Sequence, residues 1–464
     1  MSFTEKYTKA FKYLLPAPFT IAISLTIITF FIALFVTLPN EVSYTSYSLD
    51  ILKFWEGGLW NNGLMVFAMQ MMLMLVLGHT LALTKPVNSI INIAVKTCNN
   101  TAKAAALVTF LTVIVSLFNW GLGLIFGAIF ARKVAEHAKK NNIDINYPII
   151  GAAGYAGLMV WHGGLSGSSL AKVAEPNHLK DMMAGILSED KIALLPESIS
   201  YAETFGSNMN IFVMLAVIIL LPLGMFWMGK RATATPITFN DKTAEEIQLE
   251  HNIVGAEKLD YSAVFSKLVG GVILCYVGYK IVVEYDFHFL SFFNPNNINL
   301  LLFALAITFH KNIFNFLKAI EKAIGGAAGI LIQFPLYFGI MGIMKSSGLV
   351  TDISQFFVEI STATTYPIFT FLSAGLVNIF VPSGGGQWAV QGPIIVQAAS
   401  DLGISLPKSI MALAYGDQLT NMLQPFWALP LLGITGLKAK EILPYTLFLM
   451  VIGGVIYLSA LLIF

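Results

Sequence analysis

Charge is what this chain of 464 residues has least of. Asp, Glu, Lys and Arg make up 11% of it, where a soluble domain carries about 25%. The 27 basic and 26 acidic residues nearly cancel, so nothing in the balance points to nucleic acid. The two cysteines, Cys98 and Cys275, form no spaced set, which argues against a disulfide framework and a cysteine metal site. No GxxxxGK[ST] loop is present, so this chain alone is not expected to use ATP. The serines of GGLSGSS do not form GxSxG, and no nucleophile–base pair stands out. An enzyme is therefore not expected. Lys6, Lys9 and Lys12 precede a full-length apolar run without a short apolar core and cleavage site, so a cleaved leader is not expected either.

What is present is apolar sequence, 56% of the chain, gathered in runs such as 19–38, 209–227 and 442–464. Each is long enough, at roughly 20 residues, to cross about 30 Å of hydrocarbon. A soluble enzyme with many buried helices is the competing reading, but such helices rarely run so apolar for so long. The fold class expected is an all-α polytopic membrane protein. Spans read near 19–38, 60–83, 147–171, 209–229, 264–284, 298–309, 323–344, 407–436 and 442–463. Two further apolar stretches are interrupted, 105–130 at FNWGLG (118–123) and 365–400 at VPSGGG (381–386). Glycine and proline break a helix and free backbone groups. In lipid those groups must be buried in protein or line a cavity.

Lys and Arg favour the cytoplasmic ends of spans. If 105–130 crossed the membrane, Lys85, Lys96 and Lys103 would lie opposite Arg132, Lys133, Lys139 and Lys140. A hairpin that enters and returns puts both groups inside. With 365–400 as a second hairpin entering from outside, twenty of the twenty-seven Lys and Arg are cytoplasmic. The N-terminus is then cytoplasmic and the C-terminus external. Segment 172–208 becomes an external cap, and 230–263 a cytoplasmic linker.

An internal repeat follows the same frame. Gln70 and Gln333 are 263 positions apart, Asn119 and Asn378 259, Pro148 and Pro407 259, Tyr155 and Tyr415 260. Chance alignment of apolar sequence is the alternative. The charge argument makes the repeats inverted, an arrangement that places a transporter's site at the repeat interface. The units read as 1–58 (first span and external loop), 59–229 (first repeat, hairpin 105–130), 230–322 (linker and connecting spans) and 323–464 (second repeat, hairpin 365–400).

The polar residues inside these stretches are the candidate site. At the second tip Ser383, Gly384, Gly385, Gly386 and Gln387 can present backbone N–H groups and neutral side chains to an anion. At the first, Asn119, Gly121 and Gly123 offer the same, with Trp120 as an apolar wall. WHGGLSGSS (161–169) adds His162, and AYGDQLTNMLQPFWALP (414–430) adds Asp417, Gln418, Asn421 and Gln424. Asp417, Asn421 and Gln424, at i, i+4 and i+7, are expected on one polar helix face. An ionisable group within a span is functional by default. Asp417 would repel a carboxylate unless a cation or proton offset it, so Asn119, Asn378, Ser383 and Asp417 are expected at the coupling ion, Na+ or H+. The bland alternative is helix packing and a structural hydrogen-bond network. No other cofactor is expected. No arginine falls at a midplane position, which favours a small monocarboxylate substrate.

FNWGLGLIFGAIFAR (118–132), VPSGGGQWAVQGP (381–393) and AYGDQLTNMLQPFWALP (414–430) resemble the motifs of the bacterial short-chain fatty acid transporter family. WEGGLW (55–60) and GHTLA (78–82) also have counterparts there. The resemblance runs from about Leu15 to the C-terminus. It implies an inner-membrane carrier importing short-chain fatty acids such as butyrate, or acetoacetate, with H+ or Na+. It also implies membership of the wider ion transporter superfamily, with paired re-entrant hairpins, elevator-type transport and a homodimer. Rival readings are a dicarboxylate or cation exchanger of that superfamily and a passive anion channel. This sequence departs from the pattern at two places. Asp417 stands where the family commonly has Glu, and His162 where glycine is expected.

Overall fold

The structure, a computed structural model, describes residues 17–184, 187–237, 255–286, 292 and 294–464. Lys6, Lys9 and Lys12, and 238–254 of the expected linker, lie outside the described residues. Among the described residues every regular element is helical. Sequence explains where the helices begin. Asn or Ser side chains at positions 43, 61, 100, 119, 146, 207, 262, 294, 312, 383 and 405 each accept a first-turn N–H. Such a cap is worth about 1 kcal/mol.

The chain opens with α1 (Pro18–Val36) and α2 (Tyr44–Leu59). A five-part order then follows: long α3 (Asn62–Ala82), short α4 (Lys85–Val95), the pair α5 (Thr101–Phe118) and α6 (Trp120–Lys140), the broken helix α7 (Tyr147–Tyr155) with α8 (Ser168–Val173), and long α11 (Asn208–Arg231). Between α8 and α11 lie the small helices α9 (His178–Met183) and α10 (Glu189–Ala193). Connecting helices α12 (Ala263–Tyr279), α13 (Pro295–Phe309) and α14 (Ile313–Ile324) come next. The five-part order then recurs: α15 (Ala328–Ser346), α16 (Leu349–Glu359), the pair α17 (Tyr366–Phe380) and α18 (Gly384–Leu402), the broken helix α19 (Leu406–Thr420) with α20 (Pro425–Thr435), and α21 (Ala439–Ile463).

Among the described residues, seven helical runs are long and apolar enough to cross a membrane. The protein is a multi-pass membrane protein. The expected span 147–171 is not one helix. It unwinds after a 3-10 turn at Ala156–Met159 and resumes at Ser168. The expected span 407–436 is likewise broken, by Asn421–Leu423 and an extended Gln424. The expected span 323–344 starts earlier, because α14, a turn at Gly325–Ala327 and α15 form one run, Ile313–Ser346. The pair α5–α6 likewise exceeds the expected 105–130, since α6 continues to Lys140.

Both helical pairs double back. In the first, Gly123 packs against Ser116 and Gly127 against Thr112. In the second, Tyr366 donates to the Ile395 carbonyl at 2.9 Å, Gln391 to Ser373 at 3.1 Å and Gln387 to the Ala374 carbonyl at 2.8 Å. The open end of the first pair is tied to a basic end of the bundle. There Asn146 N–H donates to Thr101 Oγ1 at 2.9 Å, Asn146 Nδ2 to the Thr233 carbonyl at 2.8 Å and Arg132 to the Ile434 carbonyl at 3.1 Å. His310 lies 3.1 Å from the Thr80 carbonyl at the same end. Lys103, Arg132, Lys133, Lys230, Arg231, Lys311 and Lys438 thus share one end. The open end of the second pair instead meets the 172–207 segment through Lys191–Asp401 at 2.6 Å, and Trp388, nearer the tip, donates to His178 of the same segment at 3.0 Å. The open ends of the two pairs thus lie against different parts of the chain.

Candidate functional site

Everything polar at the centre is organised around the unwound stretch 160–167. The first tip docks on it through two hydrogen bonds: Leu165 N–H to the Leu117 carbonyl at 2.9 Å and Trp120 N–H to Ser166 Oγ at 3.0 Å. The second tip docks through a glycine. A Cβ on Gly384 would lie 2.5 Å from Trp161 Cη2 and 2.9 Å from His162 Cε1. Only the missing side chain permits that approach. The other broken helix reaches the stretch through Gln418, whose Oε1 accepts from Gly163 N–H at 2.9 Å. Asn210 of α11 donates to the Gly163 carbonyl at 3.0 Å, and its Oδ1 accepts from Tyr415 at 3.0 Å.

The two ionisable groups at this centre are neighbours. His162 Nδ1 lies 3.1 Å from Asp417 Oδ2, and the side chains are 0% and 1% exposed. Ser169 fixes the far side of the ring, with its N–H 3.2 Å and its Oγ 2.9 Å from His162 Nε2. The backbone N–H of Ser169 points at Nε2, which leaves Nδ1 toward the carboxylate. The contact is a close approach off hydrogen-bond alignment: neither His162 Nδ1 nor either Asp417 oxygen makes an aligned hydrogen bond.

Around Asp417 the amides interlock. Asn378 Nδ2 donates to the Asp417 carbonyl at 2.7 Å and to Thr420 Oγ1 and Asn421 Oδ1 at 2.9 Å each. Gln424 Nε2 donates to the Asn378 carbonyl. Tyr155 of α7 donates to the Asn421 carbonyl at 2.8 Å and to that of Gln424 at 3.1 Å. Asp417, Asn421 and Gln424 do not share a helix face. Pro425 lacks the N–H to continue α19, and the preceding residue of a proline is pushed to extended backbone. Among the described residues, four side chains here keep buried oxygens without a donor: Asp417 Oδ1 and Oδ2, Asn378 Oδ1, Gln387 Oε1 and Gln424 Oε1. Buried polar atoms are rarely left unpaired. A set of orphaned oxygens suits a hard cation or a proton.

The remaining candidates divide. Asn119 Oδ1 caps α6 through Leu122 N–H at 3.0 Å, and Ser383 Oγ caps α18 through Gly386 N–H at 3.1 Å. Gly384 and Gly385 are the first residues of α18, so their N–H groups have no intrahelical acceptor. Gly386 packs near Met341, and Gly121 lies against Met74 of α3. Gly123 allows α5 and α6 to close on Ser116. Gly121 and Gly123 are therefore contact glycines. Trp120 belongs to a ring cluster with Trp161 at 5.9 Å and Trp427 at 5.3 Å, and Phe67 is 6.2 Å from Trp120. Trp161, Trp427, Ser169, Asn210 and Phe67 were not singled out in the sequence. Trp161 and Trp427 lie inside quoted motifs and could have been; Asn210 and Phe67 carry no sequence signal beyond one polar and one aromatic residue in apolar runs.

The family model for short chain fatty acid transporters matches residues 2–464. The chain belongs to that family. It is a transporter and not an enzyme. A proposed short-chain fatty acid transporter of Escherichia coli (strain K12) is 35% identical over 454 residues, covering 97% of this chain and 96% of that one. One of Haemophilus influenzae (strain ATCC 51907 / DSM 11121 / KW20 / Rd) is 34% identical over 468 residues, covering 99% and 97%. Among solved structures, the Alcanivorax borkumensis YdaH transporter aligns over 95% of this chain and 98% of its own at 14% identity and a TM-score of 0.42. Neisseria gonorrhoeae MtrF, of a class of antimetabolite efflux pumps, aligns over 98% and 97% at 14% identity and a TM-score of 0.41. Likenesses this slight carry no argument about mechanism.

Proposed function

We propose that this protein is a secondary active transporter importing short-chain fatty acids or related small monocarboxylates, butyrate and acetoacetate among them, coupled to H+ or Na+. The observation that supports this most is the meeting of two hairpin tips and two broken helices at 160–167, beside the buried His162–Asp417 pair. Irregular backbone within a membrane protein belongs where it lines a binding cavity, and paired breaks near the midplane are where carriers bind substrate and ion. The relatives' names supply the substrate class.

In this reading the two helical pairs are re-entrant hairpins, and the recurring five-part order is an inverted repeat. The basic end is cytoplasmic by the positive-inside rule, which puts the N-terminus inside and the C-terminus outside the bacterial inner membrane. Gly384 faces the anion, with His162, Gln418 and Asn421 close by. Asp417, Asn378, Gln387 and Gln424 hold the coupling cation or proton. Elevator-type movement of the hairpins in a homodimer would carry the site across.

The test is uptake of labelled butyrate and acetoacetate by the purified protein in proteoliposomes, with imposed Na+ and H+ gradients. Accumulation that follows one gradient is the expected result, and Asp417→Asn abolishes it. Flux without accumulation means a channel, and obligatory counter-substrate means an exchanger. Failure to move any carboxylate overturns the proposal.

A further inference from the structure

Among the described residues, two buried indole N–H groups at the centre have no acceptor. They belong to Trp161, 4% exposed, and Trp427, 3% exposed. Leaving a buried donor unpaired costs stability unless something else satisfies it. Trp55 also has an unpaired indole nitrogen, but a Cβ on Gly339 would lie 2.5 Å from it. That ring is wedged into the crossing of α2 and α15, with no space for a ligand. Trp161 and Trp427 stand differently. Their ring centroids are 6.3 Å apart, and both neighbour Trp120. Phe67 lies 6.1 Å from Trp427, and Trp161 stacks on His162 at 4.6 Å.

The chemistry of an indole ring separates two halves of a ligand. Its edge is positive, most so at the N–H, while its face is negative and apolar. An anion therefore approaches the edge and an alkyl chain the face. A carboxylate with a short hydrocarbon tail matches both parts. A cluster of rings already in contact must part to admit a tail, so each added methylene displaces more ring surface.

We propose that Trp161 and Trp427 donate their indole N–H groups to the substrate carboxylate, and that the faces of Trp120 and Phe67 bind its alkyl tail. This rests on the transporter reading above and assigns the groups that recognise the substrate. The donors are neutral, so they hold an anion without a fixed positive charge and let it leave again. The tail length accepted is set by the two rings that receive it.

The experiment measures butyrate uptake kinetics in proteoliposomes for the full chain with β-(3-benzothienyl)alanine at position 161 or 427. That residue keeps the ring shape and replaces N–H by sulfur. Loss of one hydrogen bond to a charged group raises KM roughly tenfold for each position, with the maximal rate little changed. Trp161→Phe and Trp427→Phe give the same direction with a smaller ring. Phe67→Ala raises the hexanoate-to-butyrate ratio of uptake efficiency by roughly tenfold, the scale of a few methylenes in an apolar pocket. Benzothienyl variants with wild-type KM overturn the assignment while leaving the transporter reading intact. Wild-type protein that neither binds nor accumulates any monocarboxylate overturns both.

Discussion

Replacing Gly384 by alanine tests the contact on which the whole centre depends. The new methyl would stand 2.5 Å from Trp161 Cη2 and 2.9 Å from His162 Cε1. Carbon atoms in contact sit about 3.5–4.0 Å apart, so the shortfall is about 1 Å. Neither neighbour can give way easily. Both are rigid rings, the Trp161 ring is stacked on His162, and His162 is held by Ser169 on one side and Asp417 on the other. The hairpin tip must retreat instead. Overpacking of this kind costs about 1–3 kcal/mol, which is roughly 5–150-fold in the population of the docked tip. Gly385 is the control, because its Cβ would meet only Ser168, at 3.9 and 4.0 Å. Neither glycine has a positive φ, so alanine is not strained at either. The assay compares initial butyrate uptake and the thermal midpoint of Gly384→Ala and Gly385→Ala in parallel. Uptake should fall at least fivefold in the first and stay near wild type in the second. Equal uptake in the two variants refutes the docked-tip geometry.

Asp417→Glu alone should lose most uptake, since a further methylene has no room beside an imidazole already 3.1 Å away; adding His162→Gly should recover it, and an additive double-mutant cycle for transport would count against the shared space. Gly127→Ala places a methyl 2.1 Å from the Gly154 carbonyl oxygen, backbone against backbone, so the yield of monodisperse protein in size-exclusion chromatography should collapse; a normal profile would mean that α6 and α7 are not packed as described. Burial pushes the Cys98 thiol up to about 11, so about a thousandth of it is thiolate at pH 8. Maleimide labelling of a Cys275→Ser variant should be slow in the folded protein, speed up as pH rises toward 11, and complete only on denaturation, read by mass spectrometry.

How much of this was legible in the sequence depends on range. The apolar runs and the two glycine breaks are local signals, and they mark the long helices, the tips at Asn119 and 381–383, and the interruptions near 161–169 and 421–424. What a string of residues cannot express is which breaks meet. His162 and Asp417 are 255 positions apart, and their contact depends on four elements packing at one point. The expected polar face of Asp417, Asn421 and Gln424 assumed a continuous helix, whereas Pro425 stops it. Glycines at the first tip read as ligand cradles and turn out to serve close helix contacts with Met74 and Ser116. Both uses need a missing side chain, so the residue type alone cannot separate them. Trp161 and Trp427 were hidden for a similar reason. Aromatic residues fill apolar sequence everywhere, and only unpaired nitrogens together with a place in the central ring cluster distinguish these two.

Charge gives the proposed coupling its physical basis. Asp417 is buried, and its neighbours across the site are neutral donors, amides and rings apart from His162. A monocarboxylate at the indole edges brings a second negative charge. At a separation of about 7 Å and an effective dielectric of about 20, two such charges repel by roughly 2.4 kcal/mol, or some fiftyfold in affinity. A cation on the orphaned oxygens cancels that term. So does a proton on the His162–Asp417 pair, which then contributes no net charge. On this proposal one positive charge enters with each carboxylate, and without it the site favours remaining empty. A site built on arginine would instead bind the anion unaided and would have no electrostatic reason to couple. Substituting Asp417 by asparagine therefore removes the requirement for an ion at its source, and butyrate binding to that variant, measured by calorimetry, should no longer depend on Na+ concentration or pH.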